Sequence, residues 1–361
     1  MAKKLITQTN EADAIENFLG INNYSKNTKK LYKSSLKKYF KFLEIAPNDY
    51  IKQDRSFETD IRKFAVYLKD KPPVSQRAAL NAVKQFLEEY DIDIRNKIWK
   101  KIKNQRRGNK PLTDDKIPDN EDLKRILSDG NIKCKAYFLL LSSTGMREGE
   151  ACGIKWEDIE LENRKINLRA EITKNNQYRY VFYSPEAEEY LLLWKNMYEN
   201  YTPKAGKEHK QKCLQNKEDG RVFPFSEHTA WWMWDNLTKK SGYHQKDKVT
   251  GRHIYHIHTL RKFFNTKLKI NNVPEGVVEK LLGHEGYLNG NYDRFTPEEI
   301  KEIYDKNCSA LSVFSDIHKL PDMIKPELKV YETKINKLER ENIILKKQVS
   351  KLQTFCSSRN I

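Results

Sequence analysis

The sequence predicts a mainly α chain with one small β-hairpin or sheet: a helical domain, an α+β domain and a C-terminal coiled-coil helix. Three observations lead there. Apolar residues recur at helical spacing through most of the 361 residues. One stretch, around 166–183, alternates apolar and polar at the period of a strand. Residues 328–352 keep a strict 3-4-3-4 apolar spacing.

The first helix is read over 25–44, SKNTKKLYKSSLKKYFKFLE, starting near Ser25. Tyr32, Leu36, Tyr39, Phe40 and Leu43 form its apolar face, while Lys29, Lys33, Lys37 and Lys41 recur every four residues on another. A lysine stripe is either a solvated face or a row of phosphate contacts. Residues 1–110 hold 25 Lys+Arg against 13 Asp+Glu, which places twelve of the chain's seventeen net positive charges there. That excess favours a polyanion, nucleic acid ahead of an anionic membrane surface, so the stripe is expected to touch DNA phosphates. Further helices are expected at about 57–69, 75–90 and 93–103. Arg77 and Lys84 on the second of these join the expected DNA contacts. Residues 1–105 are thus a helical domain, and the turn-rich NQRRGNKPLTDDKIPDN carries a linker over 106–119.

A second domain is read over 120–320. It opens with EDLKRIL and an apolar helix around 133–144. In KINLRAEIT, Ile166, Leu168, Ala170 and Ile172 alternate with polar residues, KNNQ turns, and YRYVFY alternates again. That predicts a hairpin with Lys174 at its tip. Helices dominate from there to about 318, interrupted at 200–220 by a Lys- and Glu-rich segment read as a flexible loop. Over 326–353 Leu328, Tyr331, Ile335, Leu338, Asn342, Leu345, Val349 and Leu352 form a heptad seam. Its β-branched a positions, leucine d positions and single polar Asn342 predict a two-stranded parallel coiled coil and hence self-association.

Five cysteines, at 134, 152, 213, 308 and 356, lack ligand-type spacing, so neither a disulfide framework nor a cysteine zinc site is expected. The N-terminus lacks the apolar core of a signal peptide, and the longest apolar run, AYFLLL, is far short of a membrane span. A soluble cytoplasmic protein is expected.

Four segments carry candidate chemistry. In SSTGMREGEACGIKWEDIEL, Arg147 follows a tight turn and opens a helix, with Glu150 one turn on. Helix amides with a guanidinium make a phosphate cradle. Lys174 is the second candidate. In HIYHIHTLRKFF, His258 and Arg261 lie three apart on one helical face. His253, His256 and His258 could instead hold a metal, but no acidic or cysteine ligand accompanies them and Arg261 is a poor neighbour for a cation. In LLGHEGYLNGNYDRFTPEEI, His284 precedes Tyr287 by three residues and Tyr292 by eight.

Read together, TGMREGE, the Lys174 hairpin, HTLR, LLGH and Tyr292 resemble, in order, the signature of the tyrosine recombinase or phage-integrase family. SKNTKKLYKSSLKKYFKFL resembles the start of that family's core-binding domain. The run TGRHIYHIHTLRKFF and the terminal heptads resemble most the archaeal members carried by viruses, plasmids and integrated elements. The resemblance implies a helical core-binding domain, an α+β tyrosine-recombinase catalytic domain and DNA cleavage and rejoining through a 3′-phosphotyrosyl intermediate. It implies Arg147, Arg261 and His284 on the phosphate, Lys174 as acid for the 5′-hydroxyl, and His258 orienting the phosphate or taking the nucleophile's proton. Glu150 supports Arg147. Tyr292 is the implied nucleophile, since Tyr287 follows His284 too closely to swing in. Neither metal nor other cofactor is required, because two arginines and a histidine neutralise the phosphorane and the phosphotyrosine conserves the bond energy. Integration or excision of a mobile element is the expected role. A resolvase of chromosome or plasmid dimers, a type IB topoisomerase and a non-catalytic DNA-binding architectural protein are the rivals. The expected partners are double-stranded DNA and further copies of the chain, paired by the coiled coil and tetrameric on recombining DNA, with no membrane.

Overall fold

The computed structural model describes residues 13–105, 115–198, 207–248, 250–284 and 295–314. Tyr287, Tyr292 and the heptad segment 326–353 lie outside them. Two compact units part between residues 114 and 115.

The first unit holds α1 (Ala14–Ile21), α2 (Lys26–Leu43), α3 (Pro47–Tyr50), α4 (Phe57–Tyr67), α5 (Pro73–Glu89) and α6 (Asn96–Gln105). The Ser25 hydroxyl accepts the Thr28 N–H at 3.2 Å and so starts α2. Tyr32, Leu36, Tyr39 and Phe40 are buried as their spacing requires, and α2 packs on α5. Phe18, Phe40, Phe64 and Phe86 fill the centre. Each fully buried ring contributes roughly 1.5–3 kcal/mol. Tyr39 and Tyr50 share a 2.5 Å hydrogen bond inside this core, and burial pushes both phenols above their ordinary range. The short α1 and α3 do not stand out in the sequence. Eight and four residues hold too few apolar repeats to show a period.

The second unit is built around α8 (Ile132–Thr144), in which every residue from Ala136 to Thr144 is buried. Before it, α7 (Asn120–Ser128) starts at a capping box formed by Asp119 and Asp122. After it come α9 (Glu148–Gly153) and a three-stranded antiparallel sheet, β1 (Ile159–Glu160), β2 (Lys165–Leu168) and β3 (Arg179–Phe182), in that order. Ile166 faces Val181 and Leu168 faces Arg179 across the β2–β3 ladder. Then follow α10 (Pro185–Tyr198), α11 (Lys207–Glu218), α12 (Glu227–Lys240), α13 (His258–Ile270), α14 (Glu275–Leu282) and α15 (Pro297–Asn307). Both α10 and α13 pack on α8, and the buried Tyr304 hydroxyl ties α15 to the Ser143 carbonyl at 2.8 Å.

Two expectations are corrected. The hairpin strand ends at Leu168, not Ile172, so Lys174 rides on a long connection rather than a tight tip. Arg169 turns in to Asp158 and the Gly153 carbonyl, and Ile172 packs against Gly153. The Thr173 hydroxyl then closes the loop, accepting the Gln177 N–H at 3.0 Å and donating to either the Ala170 or the Gln177 carbonyl, both at 2.9 Å. The apolar alternation there anchors a loop on α9 instead of continuing a strand. Within 200–220, residues 207–218 are the helix α11, held by the buried Cys213 and Asn216. Among the described residues Cys134, Cys152, Cys213 and Cys308 are free and buried, and no helix is long and apolar enough to cross a membrane.

Candidate active site

Two glycine turns bring the chemistry-bearing residues of the second unit together. Gly145 ends α8 at φ +64°, a left-handed conformation that glycine adopts without strain. A Cβ there would stand 2.5 Å from Phe264 of α13, so close helix approach also demands glycine. The turn swings Arg147 to the start of α9. At the end of α14, Gly283 repeats the device at φ +65° and presents His284.

Arg261 lies on the first turn of α13 and is 6% exposed. Its Nη1 donates to the Gly145 carbonyl at 2.6 Å, and its Nη2 donates to the Leu282 carbonyl at 2.5 Å and to His284 Nε2 at 3.0 Å. Burial first, and Arg147 second, lower its pKa to about 10, which leaves it charged at neutral pH. His284 Nδ1 meets Glu279 Oε2 at 2.5 Å. The imidazole is thereby pinned between a carboxylate and a guanidinium.

Glu150 is 2% exposed and accepts four hydrogen bonds. The Arg147 backbone N–H and Nη1 donate at 2.7 and 2.9 Å, and Arg179 Nη1 and Nη2 donate at 2.8 and 2.6 Å. Burial raises the Glu150 pKa, but the arginines outweigh it and hold the carboxyl below its ordinary range. The side chain of Arg147 is 27% exposed, and its only hydrogen bond among the described residues is the one from Nη1 to Glu150.

His258 opens α13 and lines a cavity of about 40 Å³ with Arg147, Glu148 and Arg261. Burial, then Arg261, lowers its pKa, so the ring is neutral at pH 7. Larger, at about 260 Å³, is a pocket bordered by Arg147, Arg179, Lys280, Gly283 and His284. Lys174 is exposed, while its neighbours Thr173 and Asn175 line that pocket. The structure therefore gathers Arg147, Glu150, His258, Arg261 and His284, with Lys174 on the adjoining loop. Tyr292 lies outside the described residues, between His284 and Phe295, whose carbonyl accepts from Lys280 Nζ at 3.0 Å.

The three histidines weighed as a metal set are separated. His256 faces Asp115 at 3.3 Å, His258 lines the cavity, and His253 lies 3.8 Å from Asp235 beside His244. Asp235, His244 and His253 do converge, and Lys239 holds the other Asp235 oxygen at 2.6 Å.

In the first unit, Arg77 and Lys84 line a groove of about 300 Å³ with Trp99, Lys100 and Lys103. The latter three escape a reading of the sequence, because a groove between α5 and α6 is not visible in either helix alone. Lys37 and Lys41 flank Phe42 and Tyr67 in a second groove, whereas Lys33 of the same stripe pairs with Glu16. Arg179 escapes it too. One arginine in a strand carries no local signal.

Residues 112–287 match the phage integrase family. The tyrosine recombinase XerA of Pyrococcus horikoshii is 25% identical over 304 residues, covering 82% of this chain and 93% of that one. The protein of the same name from Saccharolobus solfataricus is 26% identical over 310 residues, covering 83% and 93%. Among solved structures, a lambda integrase tetramer bound to a Holliday junction has a TM-score of 0.55 at 16% identity, covering 76% of this chain and 74% of that chain. That likeness is one of fold.

Proposed function

We propose, from the match of residues 112–287 to the phage integrase family, that this chain is a site-specific DNA recombinase that joins DNA 3′-phosphates transiently to Tyr292. The observation that supports this best is the convergence of Arg147, Arg261 and His284 from three separate elements, with Arg147 nitrogens left unengaged among the described residues. Such a cluster suits a phosphate whose charge grows in the transition state.

In this mechanism Arg147 and Arg261 receive the non-bridging oxygens. His284, whose Nδ1 is held by Glu279, contributes a third contact. His258, neutral and beside both arginines, takes the tyrosine's proton. Lys174 descends from its loop to protonate the departing 5′-hydroxyl. The tyrosyl oxygen displaces that hydroxyl, and reversal by a new 5′-hydroxyl restores the phosphodiester, so bond energy is kept and no nucleotide cofactor enters. The grooves around Arg77, Lys84, Lys37 and Lys41 bind backbone phosphates, with Lys29 and Lys33 of α2 adding to them once Lys33 exchanges Glu16 for a phosphate. Self-association through residues 326–353 and a cytoplasmic setting complete the proposal.

We assign the reaction to integration or excision of a mobile element. The matches to proteins named tyrosine recombinase XerA favour a second reading, a resolvase of DNA dimers. A nicked suicide substrate carrying the cognate site tests the chemistry. Wild type should form a covalent 3′-phosphotyrosyl adduct and Tyr292→Phe should not. An adduct in both removes Tyr292 as nucleophile, and tight binding without any adduct leaves a DNA-binding architectural protein. Deleting 326–361 should lower the mass in light scattering. Unchanged mass removes the coiled coil.

A further inference from the structure

Arg179 stands beside the proposed site without being free to serve it. Its side chain is 11% exposed, and all three guanidinium nitrogens are engaged within the protein. Nη1 and Nη2 grip the two Glu150 oxygens, and Nε reaches the Leu281 carbonyl at 3.4 Å. Gly283 lies so close that a Cβ there would meet Arg179 Cδ and Nε at 2.7 and 2.8 Å. The strand residue thus bridges the carboxylate under Arg147 to the turn that presents His284.

We propose that Arg179 is a positioning residue for the phosphate site, locking Glu150, and through it Arg147, in register with the His284 turn. The inference rests on the recombinase reading for its consequence and on geometry for its form. Half of the hydrogen bonds that Glu150 accepts come from Arg179. Without them the carboxylate is free to rotate, and Arg147 follows, because its only hydrogen bond from the guanidinium among the described residues is to Glu150. A displacement of about 1 Å at a reacting centre costs roughly 10²-fold in rate. The forked geometry matters as much as the charge, so a lysine substitutes poorly.

The test compares wild type, Arg179→Met, Arg179→Lys, Glu150→Gln and the double variant Glu150→Gln/Arg179→Met. Each is checked for folding by circular dichroism, then assayed for DNA affinity and for single-turnover adduct formation. Arg179→Met should lose roughly 10²-fold in adduct rate while its DNA affinity stays within about threefold, as expected of a side chain that touches no phosphate. Arg179→Lys should fall between. The loss should be strongly non-additive with Glu150→Gln, since both act through one clamp. The ratio of Arg179→Met to wild-type rates should also fall as pH is lowered, because a Glu150 carboxyl relieved of its arginine takes up a proton more readily. That ratio should be flat on the Glu150→Gln background. Equal losses in affinity and rate, or additive losses, overturn the proposal and make Arg179 a direct DNA contact. If Arg179→Met fails to fold, Arg179→Lys carries the comparison. If wild type forms no adduct, the recombinase reading falls. The clamp is then judged by the same double-variant cycle in urea unfolding, where independent losses overturn it.

Discussion

Gly145→Ala isolates how much of the site rests on one glycine turn. Gly145 sits at φ +64°, where a side chain costs about 1–2 kcal/mol. The added methyl would also stand 2.5 and 2.8 Å from the ring of Phe264, which is fully buried on α13 and cannot swing away. Overpacking of this kind costs about 1–3 kcal/mol. The sum is a destabilisation of about 2–5 kcal/mol. Gly220 supplies the control. Its φ is +77°, yet nothing lies within 4 Å of a Cβ built there, so Gly220→Ala should lose only the backbone part.

Urea unfolding of both variants reads these numbers as midpoint shifts at constant slope. Adduct formation should suffer further in Gly145→Ala, because the Gly145 carbonyl holds Arg261 at 2.6 Å and moves with the turn. A loss below about 1 kcal/mol, equal losses in the two variants, or a wild-type adduct rate in folded Gly145→Ala would each refute the reasoning.

Three further outcomes are expected. His258→Gln should slow adduct formation by about 10²-fold or more and remove an acid limb that, in wild type, lies below the ordinary histidine range because burial and Arg261 depress its pKa; a pH–rate profile checks this. Burial, with Glu227 adding to it, raises the Glu148 pKa to about 7, so the folded state keeps a proton that the unfolded chain releases. Stability should therefore fall as pH rises from about 4.5 to about 7, by on the order of 1 kcal/mol after solvent screening, and Glu148→Gln should flatten that slope in melts at pH 5 and 8. Replacing Lys100 and Lys103 by alanine should lower the slope of log affinity against log salt by about 0.9 for each phosphate no longer neutralised, without changing the rate of the bound complex.

What the sequence makes legible follows from the physics of each element. Helix α2 can be read because its apolar positions repeat at helical spacing and Ser25 supplies a cap. The single strand-period stretch marks the sheet. Its extent misleads, because Ile172 is apolar for packing on Gly153 and not for facing a sheet. Helix α11 is hidden because its polar sequence leaves little apolar stripe to read. At the site, Arg147 and Glu150 are close in sequence and their pairing is visible. Arg179 is 29 residues from Glu150 and Arg261 is 116 from Gly145, so both contacts exist only after folding.

The arrangement also answers how three guanidiniums share a partly buried space before any DNA arrives. Glu150 is one carboxylate and cannot neutralise Arg147, Arg179 and Arg261. Glu279, partly exposed and bonded to His284, adds a second negative charge near Arg261, and the remaining counter-charge comes from the backbone. Helices α8 and α14 both end in left-handed glycines, Gly145 and Gly283, and the last carbonyls of a helix lack partners and carry its negative pole. Arg261 takes the Gly145 and Leu282 carbonyls, and Arg179 approaches the Leu281 carbonyl. Two helix ends and Glu150, with Glu279 acting on Arg261 from beyond His284, therefore hold the arginines without saturating them. Partial charges stabilise a cation less than a full anion does, so the site keeps a net demand for negative charge. A second buried and fully ionised carboxylate would have met that demand within the protein. Burial instead raises the Glu148 pKa to about 7 and keeps that group partly protonated, leaving more for a phosphodiester to gain on binding.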